Sequence, residues 1–189
     1  MSVEAAGVRN LLPNMVPANW YVSSGATLSA YNHGSIHGVC FSNSSSGEVF
    51  LRPGSSSAPG TAPLVNGHSY YVRFYLNMED YAGTQTFDFY WPEMEGSARL
   101  PCNAIGTFFP DENSNNKWHM FSQKRENFRP GKDNGDWAPR IDFNGGISGT
   151  RECRAAGAML IDLTEAGLAG LTKAQLDAKP YFYGITPTW

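Results

Sequence analysis

The sequence predicts an all-β protein folded as a β-sandwich of the jelly-roll type, with about nine strands and one short C-terminal helix. Two observations lead to this prediction. Short segments alternate between apolar and polar residues, and clusters of Gly, Pro, Asn or Ser separate them, with 20 Gly and 12 Pro among 189 residues. This pattern is typical of proteins built from many short strands. Because domains usually have about 100 to 200 residues, we expect a single domain spanning residues 1–189.

The composition excludes several classes of partner. Hydrophobic residues make up 41% of the chain, which is enough for a filled core, and the formal net charge is −3. Lys and Arg form no dense block that would neutralise phosphates, so nucleic acid is a poor candidate partner. No stretch has the roughly 18 apolar residues of a membrane span, and the N-terminus lacks the pattern of a signal peptide. We therefore expect no nucleic acid and no membrane as partners.

The clearest strand covers residues 69–77, where the side chains alternate strictly between two faces. One face carries Tyr70, Val72, Phe74 and Leu76, and the other carries Tyr71, Arg73 and Tyr75. A second alternating segment, residues 84–91, follows a polar break, and we predict that the two strands form an antiparallel pair. Further strands are predicted at residues 26–31, 38–42, 48–52, 99–109, 117–123, 140–143 and 154–163.

One helix is predicted near the C-terminus. Thr172 is followed three residues later by Gln175, which is a capping box, and Pro180 prevents the helix from continuing. The helix has at most two turns. Residues 53–63 and 129–139 are rich in Ser, Gly, Pro and Asp and are predicted to be loops.

The three cysteines, Cys40, Cys102 and Cys153, are an odd number without the spacing of a zinc site. Buried free thiols are the default expectation. One pair could bridge in an oxidising medium, and the sequence does not say which.

Three motifs carry a resemblance to known proteins. Residues 158–184 read AMLIDLTEAGLAGLTKAQLDAKPYFYG, and residues 9–14 read RNLLPN, followed by Trp20. Both ends resemble recurring elements of tail and other structural proteins from phages and prophages of gut Firmicutes. Residues 64–75 are similar to a strand of carbohydrate-binding jelly rolls. Where the phage proteins often carry G-N-E-P before the helix, residues 167–172 read GLAGLT instead, so an acidic group is missing from that bend.

The resemblance implies a bacteriophage virion structural protein, such as a capsid decoration, head fibre or tail and baseplate-associated subunit. Such a protein would be located in the virion after assembly in the host cytoplasm, would form a homo-oligomer and would contact other virion proteins. Residues 1–14 and 180–189 would then be docking segments. An independent carbohydrate-binding module, with a cell-surface glycan as partner, is the alternative. A polysaccharide-degrading enzyme is the least favoured function.

The candidate binding surface combines Tyr71, Arg73 and Tyr75 with Asp88 and Tyr90 of the predicted neighbouring strand. Aromatic rings beside hydrogen-bonding groups suit sugar recognition, because the apolar face of a pyranose stacks on a ring while its hydroxyls find polar partners. Coverage by a second sheet or a subunit is the favoured alternative, since Tyr and Arg are enriched at interfaces.

No catalytic function or cofactor is predicted. The sequence contains none of the common nucleophile, zinc-protease or nucleotide-binding motifs, and Glu93 and Glu95 are only a weak candidate for a glycosidase pair. Asp111, Asn113 and Asn115 alternate like the oxygen ligands of a calcium loop, but the Gly and the distal Glu of an EF-hand are missing. A polar hairpin tip is favoured there, with a structural calcium ion as the alternative.

Overall fold

The computed structural model describes residues 8–23, 26–34, 36–42, 49–57, 64–79, 85–90, 94–95, 98–99, 103–108, 117–129, 140–144 and 152–179. The strands are β1 (Trp20–Val22), β2 (Thr27–His33), β3 (Ile36–Ser42), β4 (Val49–Pro53), β5 (Tyr70–Glu79), β6 (Gln85–Tyr90), β7 (Met94–Glu95), β8 (Ala98–Arg99), β9 (Asn103–Phe108), β10 (His119–Arg125), β11 (Arg140–Asn144) and β12 (Glu152–Asp162). A 3₁₀ turn covers Pro17–Asn19, and helix α1 covers Lys173–Asp177. In this part of the chain, no helix combines the length and the apolar character needed to cross a bilayer.

The strands form a sandwich of two antiparallel five-stranded sheets, as the sequence predicts. Sheet A has the order β1-β4-β11-β6-β9, and sheet B has the order β10-β5-β12-β3-β2. Strands β7 and β8 form a separate short hairpin. Every strand predicted from the sequence is present. The prediction missed β1 and β7, which have only three and two residues, and it merged the two-residue strand β8 with β9 into one segment, residues 99–109.

The predicted pairing of the two most regular strands is wrong. Strand β5 lies between β10 and β12 in sheet B, whereas β6 lies between β9 and β11 in sheet A. The chain therefore crosses from one sheet to the other between these strands instead of forming a hairpin. Alternation of side chains reports which face of a strand is apolar but carries no information about its neighbours, and this is why the two strands could be found but not paired.

The core lies between the sheets and is built from the inward side chains of both. From β5 it receives Tyr70, Val72, Phe74, Leu76 and Met78, which are the positions that alternation assigns to one face. Sheet A contributes Trp20, Val22, Val49, Leu51 and Ile141. The ring of Phe128 meets Tyr70 edge to face with centroids 5.5 Å apart, closing one end of the core.

Strand β12 changes its alternation at a bulge. Its pairing with β5 shifts between Ala156 and Met159, and Gly157 adopts a positive φ of 61°. Ala155 faces the core before the bulge and Leu160 faces it afterwards, because the extra residue reverses the faces. This shift lets Met159 and Ile161 join the apolar side chains on the outside of sheet B.

The N-terminal segment takes the place of β3 beside the second half of β12. Leu11 donates its backbone N–H to the Leu160 carbonyl at 2.8 Å. Asn10 accepts hydrogen bonds from the backbone N–H of Leu160 at 2.9 Å and donates its Nδ2 to the Ala158 carbonyl at 3.1 Å. The described part of the predicted N-terminal docking segment thus packs on its own domain, with Val8 and Leu12 buried.

The C-terminal turn and helix follow the predicted local rules. Asp162 accepts hydrogen bonds from the backbone N–H groups of Thr164 and Glu165 at 3.0 and 2.9 Å, which closes the turn after β12. Thr172 caps α1, and its capping box with Gln175 is present in full.

Cys40 and Cys153 are buried free thiols, as expected by default. Cys153 is paired in register with Phe41, and Cys40 with Arg154, so the two sulfurs belong to opposite faces of sheet B. Burial raises the pKa of both thiols. Cys102 lies outside the described residues.

Candidate functional site

The C-terminal segment covers half of the outer face of sheet B, the face that points away from sheet A. Tyr71 is 0% exposed and Arg73 is 5% exposed. Tyr71 packs in a second apolar cluster, which also contains Val8, Met159, Ile161, Leu163 and Leu176. Tyr71 and Arg73 therefore do not belong to an open aromatic surface. The face is covered, but by a segment of the same chain and not by the second sheet or subunit that the sequence favoured. We call this region the sealed half.

Polar groups hold the segment in place over the sealed half. The Tyr71 hydroxyl donates to Asp177 Oδ1 at 2.8 Å, and Ser122 Oγ donates to the same oxygen at 2.6 Å. Lys173 Nζ donates to the other oxygen at 2.6 Å. Burial raises the pKa of Asp177, but the three hydrogen bonds together lower it by more, so the carboxylate stays charged at neutral pH. Arg73 Nη1 donates to the Lys179 carbonyl at 3.1 Å.

Asp88 and Tyr90 lie on the other sheet. Both belong to β6, where Asp88 is the register partner of Asp142 and Tyr90 is the partner of Arg140. The shared surface predicted for Tyr71, Arg73, Tyr75, Asp88 and Tyr90 therefore does not form, because it depended on the incorrect pairing of β5 with β6.

The other half of the outer face of sheet B carries partly exposed aromatic rings. Tyr75, Trp118 and Tyr31 are all half-buried. In register across the sheet, Tyr31 is opposite Gly38 and Tyr75 is opposite Ala156, so small residues lie between the two tyrosines. We call the surface formed by Tyr31, Gly38, Tyr75, Trp118 and Ala156 the trough.

Aromatic side chains from the two edges of sheet B meet over the trough. Tyr31 is on edge strand β2, and Trp118 immediately precedes the opposite edge strand β10. These strands are four spacings apart in the sheet order, about 19 Å if the sheet were flat. The ring centroids of Tyr31 and Trp118 are nevertheless 5.7 Å apart, so the two side chains reach towards each other across the face. The trough therefore carries aromatic side chains from both edges of the sheet.

Small residues are required on the floor of the trough. A Cβ added to Gly38 would lie 2.2 Å from the Ala155 carbonyl oxygen, which is a collision with backbone. A Cβ at Gly157 would lie 3.1 Å from the edge of the Tyr75 ring. The absence of side chains at these positions thus fixes the close packing of β3 on β12 and the place of the Tyr75 ring.

A network of charges lies at one end of the trough. Arg154 Nε donates to Glu152 Oε2 at 2.7 Å, and its guanidinium also pairs with Glu79. Arg154 Nη1 donates to Asn77 Oδ1 at 3.4 Å. The guanidinium carbon lies 5.3 Å from the centre of the Tyr31 ring. The carboxylates therefore fix Arg154, and Arg154 in turn fixes the ring of Tyr31.

This arrangement suits the binding of a polyhydroxylated ligand. Half-buried rings offer apolar faces for stacking, and the carboxylates beside them accept hydrogen bonds from hydroxyl groups. Within the described residues, no group of three His, Cys, Asp or Glu side chains could hold a metal ion. The calcium candidates Asp111, Asn113 and Asn115 lie outside those residues, as does Glu93.

Sequence reasoning found Tyr75 but missed Tyr31, Trp118 and Arg154. Each of the three lies in a predicted strand, so the sequence predicts that each side chain points to one face of a sheet. Their convergence was not predicted, because it depends on the strand order β10-β5-β12-β3-β2 and on the directions in which the side chains extend across the sheet.

A second aromatic surface lies on the outside of sheet A. The rings of Tyr21 and Phe50 are 6.1 Å apart, and Arg52 and Arg140 lie over them at 4.8 and 4.5 Å. Arginine guanidinium groups thus occupy positions over both rings. This surface lies on the other sheet and provides a control region for experiments.

No protein-family model matches the chain, and no curated protein matches it significantly. Solved structures are similar in fold. The xylan-binding domain of carbohydrate-binding module family 22 matches with a TM-score of 0.52 and 11% identity, over 91% of this chain and 100% of that one. The corresponding domain of Xyn10C from Paenibacillus barcinonensis matches with a TM-score of 0.51 and 7% identity, over 82% and 93% of the two chains.

A larger protein also contains this fold. Arabinose-bound MgGH51 α-L-arabinofuranosidase matches over 85% of this chain with a TM-score of 0.56 and 15% identity. This chain spans only 27% of the length of that enzyme. The similarity therefore shows that the two proteins share a β-sandwich, and it extends to the fold alone.

Proposed function

We propose that this domain is a carbohydrate-binding module and that it binds a polysaccharide or a cell-surface glycan in the trough. The observation that carries the proposal is the presence of Tyr31, Trp118 and Tyr75 on one face of sheet B with carboxylates beside them. The solved structures that match along most of both chains are carbohydrate-binding modules, and this supports a binding function over a catalytic one.

The proposed function corresponds to the alternative drawn from the sequence. The virion role, the homo-oligomer and the location in the virion stay predictions that rest on the terminal motifs. A glycan-binding domain is compatible with any of those settings, because the trough lies on one sheet and uses a small part of the surface. The proposal therefore concerns what this domain binds, whatever larger structure contains it.

The test is binding of soluble xylan, the ligand of the structural neighbours, together with a panel of other polysaccharides, measured by calorimetry. Trp118→Ala and Tyr75→Ala should each weaken binding about two- to tenfold, because each removes a stacking surface worth roughly 0.5–1.5 kcal/mol. The matched control is Tyr21→Ala, which removes a half-buried ring from sheet A. Circular dichroism and thermal unfolding identify any variant that has lost its fold.

Two results would contradict the proposal. If no polysaccharide in the panel binds to the wild-type domain, carbohydrate binding is wrong. If Tyr21→Ala weakens binding and the two trough variants leave it unchanged, the site is on sheet A.

A further inference from the structure

The charges of the trough indicate which glycans it accepts. Two carboxylates, Glu79 and Glu152, flank the guanidinium of Arg154, so these three side chains together carry one net negative charge. We propose, resting on the proposed glycan site, that the trough selects neutral glycan chains and discriminates against chains with acidic substituents. Arg154 is then a positioning residue and does not bind anions.

The hydrogen-bond donors of Arg154 are already used by neighbouring side chains. Its Nε donates to Glu152 at 2.7 Å, its Nη2 lies 2.6 Å from the same carboxylate oxygen and also pairs with Glu79, and its Nη1 donates to Asn77. The Arg154 side chain is only 15% exposed. An acidic substituent would therefore have to displace an existing carboxylate before it could pair with this guanidinium.

The carboxylates, by contrast, face partly towards solvent. The side chain of Glu152 is 32% exposed and that of Glu79 is 17% exposed. A carboxylate accepts hydrogen bonds from neutral sugar hydroxyls without electrostatic repulsion. A ligand carboxylate or sulfate brought close to it is repelled. The formal net charge of −3 for the whole chain adds to this repulsion at low salt.

Two other cations lie near the trough. Arg73 is on the same face of β5, and its guanidinium carbon lies 5.7 Å from the centre of the Tyr75 ring. It is only 5% exposed, and its Nη1 donates to the Lys179 carbonyl in the sealed half, so little of its surface can pair with a ligand. Lys117 precedes Trp118 and is exposed, so solvent and salt screen its charge.

The experiment compares three forms of one xylo-oligosaccharide: unsubstituted, substituted with a single glucuronic acid, and substituted with the methyl ester of that acid. The ester has nearly the size of the acid but no charge. At low salt, we expect the acid to bind about fivefold more weakly than the ester, and the difference should shrink at high salt because the repulsion is screened.

Variants locate the effect. Glu152→Gln should bring the affinities for acid and ester closer together, whereas Glu126→Gln, which removes one carboxylate elsewhere on the surface, should leave their ratio unchanged. Because the ratio is taken within each variant, a general loss of affinity cancels.

Equal or tighter binding of the acid by the wild-type domain would overturn the inference while leaving the proposed function intact. If none of the three forms binds while another glycan of the panel does, the comparison is repeated with carboxylated and esterified forms of that glycan. Failure of every glycan would overturn both.

Discussion

The two halves of the outer face of sheet B share their strands but differ in what covers them. In the sealed half, Tyr71 lies beneath the chain's own C-terminal segment and is 0% exposed. Four residues further along β5, on the same face, Tyr75 is half-buried and borders the trough. One half thus contributes stability, because apolar surface is removed from water there, and in the other half part of the Tyr75 side chain remains exposed to solvent.

The difference begins at the bulge of β12. Before the bulge, the outward position is taken by the charged Arg154, and after it by the apolar Met159 and Ile161. Only the second group offers the C-terminal segment a surface on which Leu176 can pack. The C-terminal segment therefore packs on the part of β12 that follows the bulge, where the outward side chains are apolar.

The largest effect should come from truncating the covering segment. Leu176→Ala removes a side chain that is 0% exposed and leaves a cavity, so we expect a loss of about 2–5 kcal/mol in the free energy of unfolding, measured with urea. Glycan affinity of the folded variant should stay within about twofold, because Leu176 lies in the sealed half.

The matched control for this truncation is Val65→Ala. Val65 is 46% exposed, so its removal should cost less than about 0.5 kcal/mol. If Leu176→Ala abolished glycan binding under conditions in which the protein is folded, the two halves would not be independent.

Sequence reasoning identified the class of fold because it rests on local rules. The alternation of Tyr70 to Leu76 requires a strand buried on at least one face, and Thr172 with Gln175 requires a helix start, whatever the rest of the chain does.

The site was beyond the reach of these rules. Whether Tyr71 or Tyr75 is covered depends on the helix 100 residues further along the chain, and nothing in the local sequence of β5 distinguishes the two positions. The contact of Tyr31 with Trp118 joins residues from opposite edges of sheet B. Of the five residues predicted for the binding surface, only Tyr75 lies in the trough. The prediction assigned Tyr75 to the correct face of β5 but paired β5 with the wrong strand.

A smaller effect is expected at the boundary between the halves. Asn10→Ala leaves the backbone N–H of Leu160 and the carbonyl of Ala158 without their side-chain partner, so we expect a loss of about 1–3 kcal/mol in the free energy of unfolding. Hydrogen exchange of the Leu160 amide should become faster. Asn10→Asp keeps the acceptor for the Leu160 N–H but loses the donor to the Ala158 carbonyl, so it should also lower the free energy of unfolding.

The control at this boundary is Asn19→Ala. Asn19 is exposed, and its Nδ2 donates to the Asn14 carbonyl at 3.3 Å, so its removal should cost under about 0.5 kcal/mol. Equal losses for the Asn10 and Asn19 variants would show that the N-terminal segment does not stabilise β12 through Asn10.

The smallest effect concerns the charge that fastens the covering segment. The pKa of Asp177 is lowered in the folded protein, so its carboxylate stabilises the fold above the pKa of the unfolded chain, and this stabilisation is lost as the pH falls through the folded pKa. Asp177→Asn should therefore cost about 1 kcal/mol at pH 7, after allowance for solvent screening, and progressively less below about pH 4. Urea unfolding of both proteins across this pH range measures the difference. A cost that did not change with pH would mean that Asp177 acts through its shape and hydrogen bonds, and that its charge does not help to hold the segment over Tyr71.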